Sequence, residues 1–452
     1  MNIVILAAGM GKRMHSKRPK VLQPLAGRPM LDYVLNAVDS FAATKTLVVG
    51  HCAEVIKEHY AQRQDIQFAL QMPPQGTGHA LLQAWPMLDQ NEAQTLVCLG
   101  DVPLLSANTI RRMQEEASTN EFVLLTINMD NPKGYGRIVR NDTGTVTAIV
   151  EEKDASEEER KIQEINTGIM LLPTSRLKNW LGALRNDNAQ KEYYLTDLVA
   201  FAAKDGVSIS TVHPDHPYEV DGVNSKMQLA ALERTWQRVQ VNRLLEAGVT
   251  NIDPSRIDIR GELICGQDVE IDVGCVFEDR VELGNSVHVG AYSVIRNTTV
   301  EDNVEILPFC HFEGANVGCK SRVGPYSRLR PGAELTGNNH IGNFVEVKKS
   351  VIGQDSKVNH LTYIGDADVG ARVNIGAGTI TCNYDGVNKF RTFIGDDAFI
   401  GSDTQLIAPV SVGAGATIGA GTTLTKDAPK GKLTLSRANQ VTIENWTRPV
   451  KK

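Results

Sequence analysis

Apolar residues recur at every sixth position through long stretches of the C-terminal half of the chain. The repeat occurs in three registers, whose apolar positions are Cys265, Ile271, Phe277, Leu283, Val289 and Ile295; Val317, Val323, Leu329, Leu335, Ile341 and Val347; and Ile394, Ile400, Leu406, Val412, Ile418 and Leu424. A period of six does not keep one face of an α-helix apolar. It is typical of a parallel β-helix, in which each residue stacks on its counterpart one coil away. The pattern predicts coils of three hexads, about eighteen residues each, and a larger excursion at Cys382–Arg391, where the spacing exceeds the repeat.

The N-terminal half shows a different pattern, in which short apolar runs alternate with helical periodicity. The runs lie at Ile3–Leu6, Thr46–Val49, Leu96–Leu99, Val123–Ile127 and Ile169–Leu172. Such alternation predicts a Rossmann-like α/β domain with a mainly parallel sheet. Ligands of such sheets bind at the carboxyl ends of the strands.

A helix is predicted between the two halves. Ser225 to Gln228 resembles a capping box, and an apolar face follows at Leu229, Leu232, Trp236 and Val239 before Gly248. The predicted organisation is therefore an α/β domain at 1–226, a helical linker at 227–247 and a β-helix domain at 248–452.

Composition narrows the function classes. The chain of 452 residues has a net charge of −6, and its only terminal basic cluster is Arg448–Lys452, which argues against a nucleic-acid or membrane surface. Its seven cysteines form no C-x-x-C pair, so neither a zinc site nor a disulfide framework is expected, and reduced thiols suggest the cytoplasm. No signal peptide is expected at Ile3–Ala8, and no apolar stretch reaches the ~20 residues of a membrane span.

The first predicted strand runs into a glycine-rich turn at Leu6–Met14, and Lys20 follows. Main-chain amides of such a turn can bind phosphate, and Lys and Arg side chains supply positive charge. A P-loop would need Ser or Thr where Arg13 stands, and a dinucleotide fold would need Gly at Met14. The turn alone is therefore compatible with a phosphate site or with a merely structural turn.

Asp101 comes just after another predicted strand, in the segment Leu99–Pro103. A carboxylate there could hold a hard cation that bridges phosphates. Taken alone, it is better explained as a helix-capping residue.

In the C-terminal half, a few residues are of types that a β-helix does not need for its own folding. His360 and Tyr363 supply a potential base and a phenol; Glu346 with Lys348, and Arg330 before them, precede these residues at intervals of about one coil. Stacking between coils makes one shared site plausible.

The N-terminal motifs, taken in order, resemble the nucleotidyltransferase domain of sugar-nucleotide pyrophosphorylases. They are Leu6–Met14, Lys20, Gln75–Gly78, Gly100–Asp101, Gly134–Arg137, Glu151–Lys153, Asn166–Gly168 and Glu219–Asn224. With the hexapeptide half, the whole chain resembles the bifunctional bacterial family of N-acetylglucosamine-1-phosphate uridyltransferase/glucosamine-1-phosphate acetyltransferases. This resemblance implies a left-handed β-helix, a homotrimer with acyl sites shared between subunits, and the substrates UTP and acetyl-CoA with Mg²⁺.

The resemblance also implies roles for N-terminal residues. Arg13 would stabilise the leaving pyrophosphate, and Asp101 and Asn224 would bind Mg²⁺. The residues expected to contact the nucleotide or its sugar are Leu6, Ala7, Ala8, Gly9, Lys20, Gln71, Gly76, Thr77, Leu99, Gly100, Asp101, Gly136, Glu151, Asn166 and Asn224. Lys12 and Leu99 stand where many relatives have Thr and Tyr.

In the β-helix, the resemblance makes His360 the general base of acetyl transfer, a role that suits the ordinary pKa of a histidine near 6.5. Glu346 is a candidate to orient it. The sugar phosphate would be bound by Arg330, Lys348, Tyr363 and Asn374, and acetyl-CoA by Ala377, Asn383, Tyr384, Ser402, Ala420 and Arg437.

The expected function is therefore two-step synthesis of UDP-N-acetylglucosamine, for peptidoglycan and lipopolysaccharide. Glucosamine 1-phosphate is acetylated first, and the product is then uridylylated. Two alternatives remain at this point: a pyrophosphorylase of single activity whose β-helix is structural or regulatory, and a non-catalytic scaffold.

Overall fold

The computed structural model describes residues 1–42, 44–118 and 121–451. The chain divides into two compact units, Met1–Trp236 and Gln237–Lys452.

The first unit is a layered α/β domain. Its strands are β1 (Asn2–Leu6), β2 (Pro24–Leu25), β3 (Arg28–Pro29), β4 (Lys45–Val49), β5 (Ile66–Leu70), β6 (Gln94–Leu99), β7 (Phe122–Asn128), β8 (Arg137–Arg140), β9 (Val146–Val150), β10 (Glu164–Pro173) and β11 (Ile209–Val212). Its helices are α1 (Met30–Val38), α2 (Ala53–His59), α3 (Thr77–Ala84), α4 (Ala107–Glu116), α5 (Thr174–Ala183) and α6 (Asp197–Lys204).

The main sheet has the order β11-β7-β10-β6-β1-β4-β5. The prediction of a mainly parallel sheet is confirmed, because β1, β4, β5 and β6 are mutually parallel neighbours and β11 is parallel to β7. β10 runs antiparallel to both β6 and β7, which the sequence pattern did not indicate. Successive β1 side chains enter different apolar clusters, Ile3 and Ile5 one and Val4 the other, as expected of a sheet covered on both faces.

Helix α7 (Lys226–Glu246) follows. Ser225 Oγ accepts from Gln228 N at 3.2 Å, as predicted for the cap, and Leu229 and Leu232 are buried in the first unit. Gln237 belongs to the second unit, where its amide pairs with the main chain of Ile259. The helix predicted as the linker 227–247 is thus shared: its residues up to Trp236 belong to the first unit, and those from Gln237 belong to the second.

The second unit is a left-handed parallel β-helix, as predicted. All its strand pairings are parallel within the described residues. The strands are β12 (Thr250–Asn251), β13 (Asp258–Cys265), β14 (Glu270–Ile271), β15 (Val276–Leu283), β16 (His288–Val289), β17 (Val294–Val300), β18 (Glu305–Ile306), β19 (His311–Glu313), β20 (Asn316–Val317), β21 (Arg322–Val323), β22 (Arg328–Leu329), β23 (Ala333–Leu335), β24 (His340–Lys348), β25 (Ser350–Ile352), β26 (Lys357–Gly365), β27 (Ala367–Val369), β28 (Asn374–Ile375), β29 (Ile380–Cys382), β30 (Thr392–Ile394), β31 (Phe399–Ile400), β32 (Gln405–Ile407), β33 (Val410–Val412), β34 (Thr417–Ile418), β35 (Thr423–Leu424) and β36 (Leu433–Thr434).

The hexad positions form the core of this β-helix. Seventeen of the eighteen are buried, and Cys265, at the end of one series, is half-buried and packs against the core. The coils keep to the predicted length of about eighteen residues. Some contain three full hexads and others are shorter by a single position: Val323 pairs with Ile341, but Ile341 pairs with Val358. The coil that joins Val369 to its partner Ile394 is much longer, since the predicted excursion separates β29 from β30.

No helix among the described residues is long and apolar enough to cross a membrane. All seven cysteines are free thiols.

Candidate active sites

A cavity of about 320 Å³ opens at the carboxyl ends of β1 and β6. These strand ends are joined because Gly100 N donates to Leu6 O at 2.9 Å. Ten of the predicted nucleotide-contacting residues line the cavity: Leu6, Ala7, Ala8, Gly9, Lys20, Gln71, Gly76, Thr77, Leu99 and Asp101. Glu192 also lines it, and no sequence motif indicated that residue.

Lys20, Asp101 and Asn224 meet at this cavity. Lys20 Nζ forms an ion pair with Asp101 Oδ2 and donates to Asn224 Oδ1 at 3.1 Å. The main chain holds the two acceptors together, because Val223 N donates to Asp101 O at 2.9 Å. The side chains of Lys20 and Asp101 are 12% and 18% exposed. Two oxygens from distant parts of the chain thus converge on one ammonium group.

This pair of oxygens suits Mg²⁺, a hard cation that takes oxygen ligands and is usually held by one or two protein groups plus substrate phosphates. Within the described residues there is no group of three or more His, Cys, Asp or Glu side chains that could hold a metal alone. These two oxygens therefore suit a cation whose remaining ligands come from the substrate.

Gly136, Glu151 and Asn166 form a second cluster. Asn166 N donates to Gly136 O at 2.9 Å, and a Cβ on Gly136 would lie 3.5 Å from Glu151 Oε1. Burial raises the pKa of Glu151, whose Oε1 accepts from Thr196 Oγ1 at 3.0 Å. These three residues do not line the cavity. The cluster is nevertheless close to Leu99, which does: Gly168 N donates to Asn166 Oδ1, and a Cβ on Gly168 would lie 2.8 Å from Leu99 Cδ1.

Arg13 lies in a 3-10 turn, Lys12–Met14, that is anchored by the buried Met14. Gly11 has a φ of 57°, and a Cβ there would lie 2.9 Å from Lys20 Cβ, so glycine permits the turn to approach Lys20. The Arg13 side chain is exposed and has no hydrogen bond or ion pair among the described residues. It is therefore available to a ligand.

In the β-helix, His360 is exposed and pairs with the preceding coil. Its Nδ1 lies 2.8 Å from Asn343 Oδ1. Glu346, which the sequence suggested as the orienting group, instead accepts from Arg330 Nη1 at 2.7 Å. In the register of these coils His360 stacks on Asn343, whereas Glu346 stacks on Tyr363, three positions further along.

Lys348 lies beside two other cations, Lys389 and Arg330. The ammonium group of Lys389, then desolvation and then the charge of Arg330 lower the pKa of Lys348. Lys389 was missed by the sequence analysis because it lies in the excursion, where the hexad register gives no position. Three neighbouring positive charges make this surface suited to a phosphate group.

Tyr363 lies in register with Glu346 and Ile380. Its hydroxyl occupies the space that a Cβ on Gly365 would need. Asn374, predicted for the same pocket, pairs in register with Lys357 and Phe399, so it does not stack on Tyr363.

Four of the residues expected to contact acetyl-CoA form one column over successive coils. Asp403 N donates to Ala377 O at 2.7 Å, Gly421 N donates to Ser402 O at 2.8 Å, and Arg437 Nε donates to Ala420 O at 2.9 Å. Because Gly378 N donates to His360 O at 3.2 Å, this column continues the coil corner that carries His360.

The other two predicted acetyl-CoA residues lie on the excursion. Asn383 is buried, and its side-chain amide donates to Asp366 Oδ2. Tyr384 is exposed and its hydroxyl donates to Gly386 O.

Comparison with known proteins matches both halves of the chain. A MobA-like NTP transferase domain matches residues 3–163, and bacterial transferase hexapeptide repeats match residues 391–426. The bifunctional protein GlmU of Cupriavidus pinatubonensis is 60% identical over 453 residues, which cover 100% of this chain and 99% of that protein. The chain belongs to the GlmU family.

Other GlmU proteins match equally completely. Those of Ralstonia nicotianae and Ralstonia pickettii are 58% and 59% identical over 452 residues, covering 100% of this chain and 99% of each relative. This GlmU chain is accordingly a bifunctional transferase: its hexapeptide domain transfers acetyl groups from acetyl-CoA to glucosamine 1-phosphate, and its nucleotidyltransferase domain transfers uridylyl groups from UTP to N-acetylglucosamine 1-phosphate.

Proposed function

We propose that uridylyl transfer takes place in the cavity at the ends of β1 and β6. The observation that carries this assignment is the convergence of Asp101 and Asn224 oxygens on Lys20 Nζ in that cavity. In the reaction, an oxygen of the sugar phosphate bonds to the α-phosphorus of UTP while the bond to the bridging oxygen breaks and pyrophosphate leaves. Both reactants are anions, so positioning and charge neutralisation supply most of the catalysis.

Asp101 and Asn224 would hold Mg²⁺ together with substrate phosphate oxygens. The ion, when bound, neutralises charge on the reacting phosphates. Lys20 binds phosphate, and the exposed Arg13 stabilises the leaving pyrophosphate. The turn Leu6–Gly9 and the segments at Gln71, Gly76, Thr77, Leu99 and Gly100 hold the nucleotide.

Gly136, Glu151 and Asn166 recognise the N-acetylglucosamine moiety. Glu151 offers a carboxylate that is already desolvated and held by Thr196 Oγ1, so a sugar hydroxyl can donate to it without stripping it of bulk water.

In the β-helix domain, His360 is proposed as the general base of acetyl transfer. The amide oxygen of Asn343 can only accept, so their contact puts a proton on Nδ1 and leaves Nε2 unprotonated. As the sugar amine attacks the thioester, the C–N bond forms, Nε2 takes a proton from the amine, and the C–S bond breaks to release coenzyme A. Ser402 donates to the oxyanion, and Ala377, Asn383, Tyr384, Ala420 and Arg437 hold acetyl-CoA.

Arg330 and Lys348 bind the phosphate of glucosamine 1-phosphate, with Lys389 beside them, and Tyr363 and Asn374 contact the sugar. His360, Tyr384 and Lys348 are all accessible at the surface of one chain. Following the family resemblance, we propose a homotrimer; the accessible position of the acetylation site leaves room for a neighbouring subunit to enclose it. We further propose a cytoplasmic enzyme whose product supplies peptidoglycan and lipopolysaccharide synthesis.

The direct experiment is a mass-spectrometric assay of the purified protein with glucosamine 1-phosphate, acetyl-CoA, UTP and Mg²⁺, in which one component is omitted at a time. We expect UDP-N-acetylglucosamine only in the complete mixture, and N-acetylglucosamine 1-phosphate when UTP is omitted. Formation of product without Mg²⁺ would refute the proposed metal. A monomer in light scattering would refute shared acetylation sites.

A further inference from the structure

Gln71 is a buried side chain of the nucleotide cavity, and its orientation is determined by its partners. It follows β5, is 3% exposed, and its main-chain N donates to Val49 O at 2.8 Å. The side-chain Nε2 donates to Gly76 O at 2.9 Å. Since a main-chain carbonyl only accepts, this contact decides which end of the carboxamide is nitrogen.

The second hydrogen of this amide meets His79. Gln71 Nε2 lies 3.1 Å from His79 Nδ1, so Nδ1 must be the acceptor and the neutral ring carries its proton on Nε2. His79 lies on α3, and its Nε2 is 3.2 Å from the side-chain nitrogen of Gln83. With the proton on His79 Nε2, the half-buried Gln83 amide takes the opposite orientation, in which its oxygen accepts that proton. Both hydrogens of the Gln71 amide are therefore committed.

One acceptor and one donor in the cavity lining remain without a partner and form a pair. Gln71 Oε1 and the Gly76 N–H have no hydrogen-bond partner among the described residues, and both residues line the cavity. Gly76 has a φ of 107°, and a Cβ there would meet Tyr193 O at 2.5 Å, so this N–H can be presented only by glycine. An acceptor beside a donor complements uracil, whose N3–H is flanked by carbonyl oxygens. Cytosine has an acceptor at N3 and is mismatched.

We propose that His79 is a positioning residue for base selection: by accepting from Gln71 Nε2, it keeps Gln71 Oε1 available to the N3–H of uracil and so favours UTP over CTP. The inference rests on the proposed nucleotide cavity and goes beyond it, because His79 itself does not line that cavity. Without His79, only the Gly76 carbonyl opposes rotation of the amide. A rotated Gln71 would offer an N–H to the N3 acceptor of cytosine.

The test uses the full-length enzyme with N-acetylglucosamine 1-phosphate, Mg²⁺ and either UTP or CTP, and measures pyrophosphate release. His79→Phe keeps a flat ring but removes both nitrogens. His79→Asn and His79→Gln are a matched pair, since an Asn side chain can place its oxygen near the position of Nδ1 whereas a Gln side chain reaches the position of Nε2. Acetyl transfer by the other domain, together with the melting temperature, reports that each variant is folded.

We expect His79→Phe and His79→Gln to raise the KM for UTP and to reduce the ratio of kcat/KM for UTP over CTP by about five- to tenfold, the effect of about one hydrogen bond, with kcat for UTP largely retained. His79→Asn should restore much of the ratio. An unchanged ratio in folded His79→Phe, with a raised KM for UTP in Gln71→Ala, would overturn the role of His79 alone. An unchanged KM in Gln71→Ala as well would overturn the proposed nucleotide cavity too.

Discussion

Asn343 Oδ1 lies 2.8 Å from His360 Nδ1, and the two residues are register partners on successive coils of the β-helix. The fold itself therefore places a second polar group, Asn343, beside the proposed general base. The partner is an amide, not a carboxylate, so it fixes the tautomer of the ring without adding negative charge beside it.

Asn343→Ala should lower kcat of acetyl transfer by about tenfold, because the ring loses the bond that keeps Nε2 unprotonated and aimed. Asn343→Asp should instead keep the orientation and stabilise the protonated ring. The acidic limb of the pH–rate profile would then move to higher pH, a change that a purely structural residue would not produce. Rates of acetyl transfer from pH 5 to 9 measure both effects, and coincident profiles for all three proteins would contradict the role of Asn343.

Asp101→Asn should reduce uridylyl transfer by about 10²-fold, since the amide keeps the shape of the side chain but removes the charge that would face the metal. The apparent affinity for Mg²⁺ should fall in the same variant. Titrating Mg²⁺ against pyrophosphate release tests this, with acetyl transfer as the control. Equal loss of both activities in a folded protein would argue against two separate sites.

Glu151→Gln should lower uridylyl transfer but stabilise the unliganded N-terminal domain at neutral pH. Burial raises the pKa of Glu151 in the folded protein, so the stability associated with its protonated form is present at low pH and is lost as pH rises through that raised pKa. Glutamine stays neutral and keeps an oxygen for Thr196. The gain in melting temperature over the wild type should be largest near pH 7–8 and vanish below about pH 4. A lower melting temperature at pH 7 would contradict this account.

Gly365→Ala should raise the KM for glucosamine 1-phosphate in acetyl transfer, because the added methyl group would take the position of the Tyr363 hydroxyl. Tyr363→Phe is the matched comparison, since it removes the hydroxyl without displacing the ring. Similar kinetics for the two variants would indicate that the hydroxyl is the group that contacts substrate. A wild-type KM for both would exclude Tyr363 from the sugar pocket.

The period of six predicted the β-helix because in this fold local spacing alone decides which side chains face the core. Strand direction was not available in the same way: β10 is as apolar as a parallel strand, so its antiparallel course left no sign in its composition. Ten of the residues that family resemblance assigned to the nucleotide line one cavity, since they lie in short contiguous motifs.

The contacts that the sequence missed depend on the length of each coil. The coil between Asn343 and His360 falls a single position short of three hexads, so the two residues stack, and allowing for that slip in the register would have found the partner. Lys389 could not be found by counting, because it lies in the excursion between β29 and β30. The link between His79 and Gln71 needs the fold of the turn at Gly76, which no hydrophobic pattern encodes.

If one chain carries two independent active sites, a mixture of two variants that each lack one of the two activities should complete the whole synthesis. Asp101→Ala alone should convert glucosamine 1-phosphate only to N-acetylglucosamine 1-phosphate, and His360→Ala alone should leave glucosamine 1-phosphate unacetylated. A mixture of the two proteins with acetyl-CoA, UTP and Mg²⁺ should form UDP-N-acetylglucosamine. If the mixture of folded variants forms none, or if either variant alone forms it at the wild-type rate, the two-site account is contradicted.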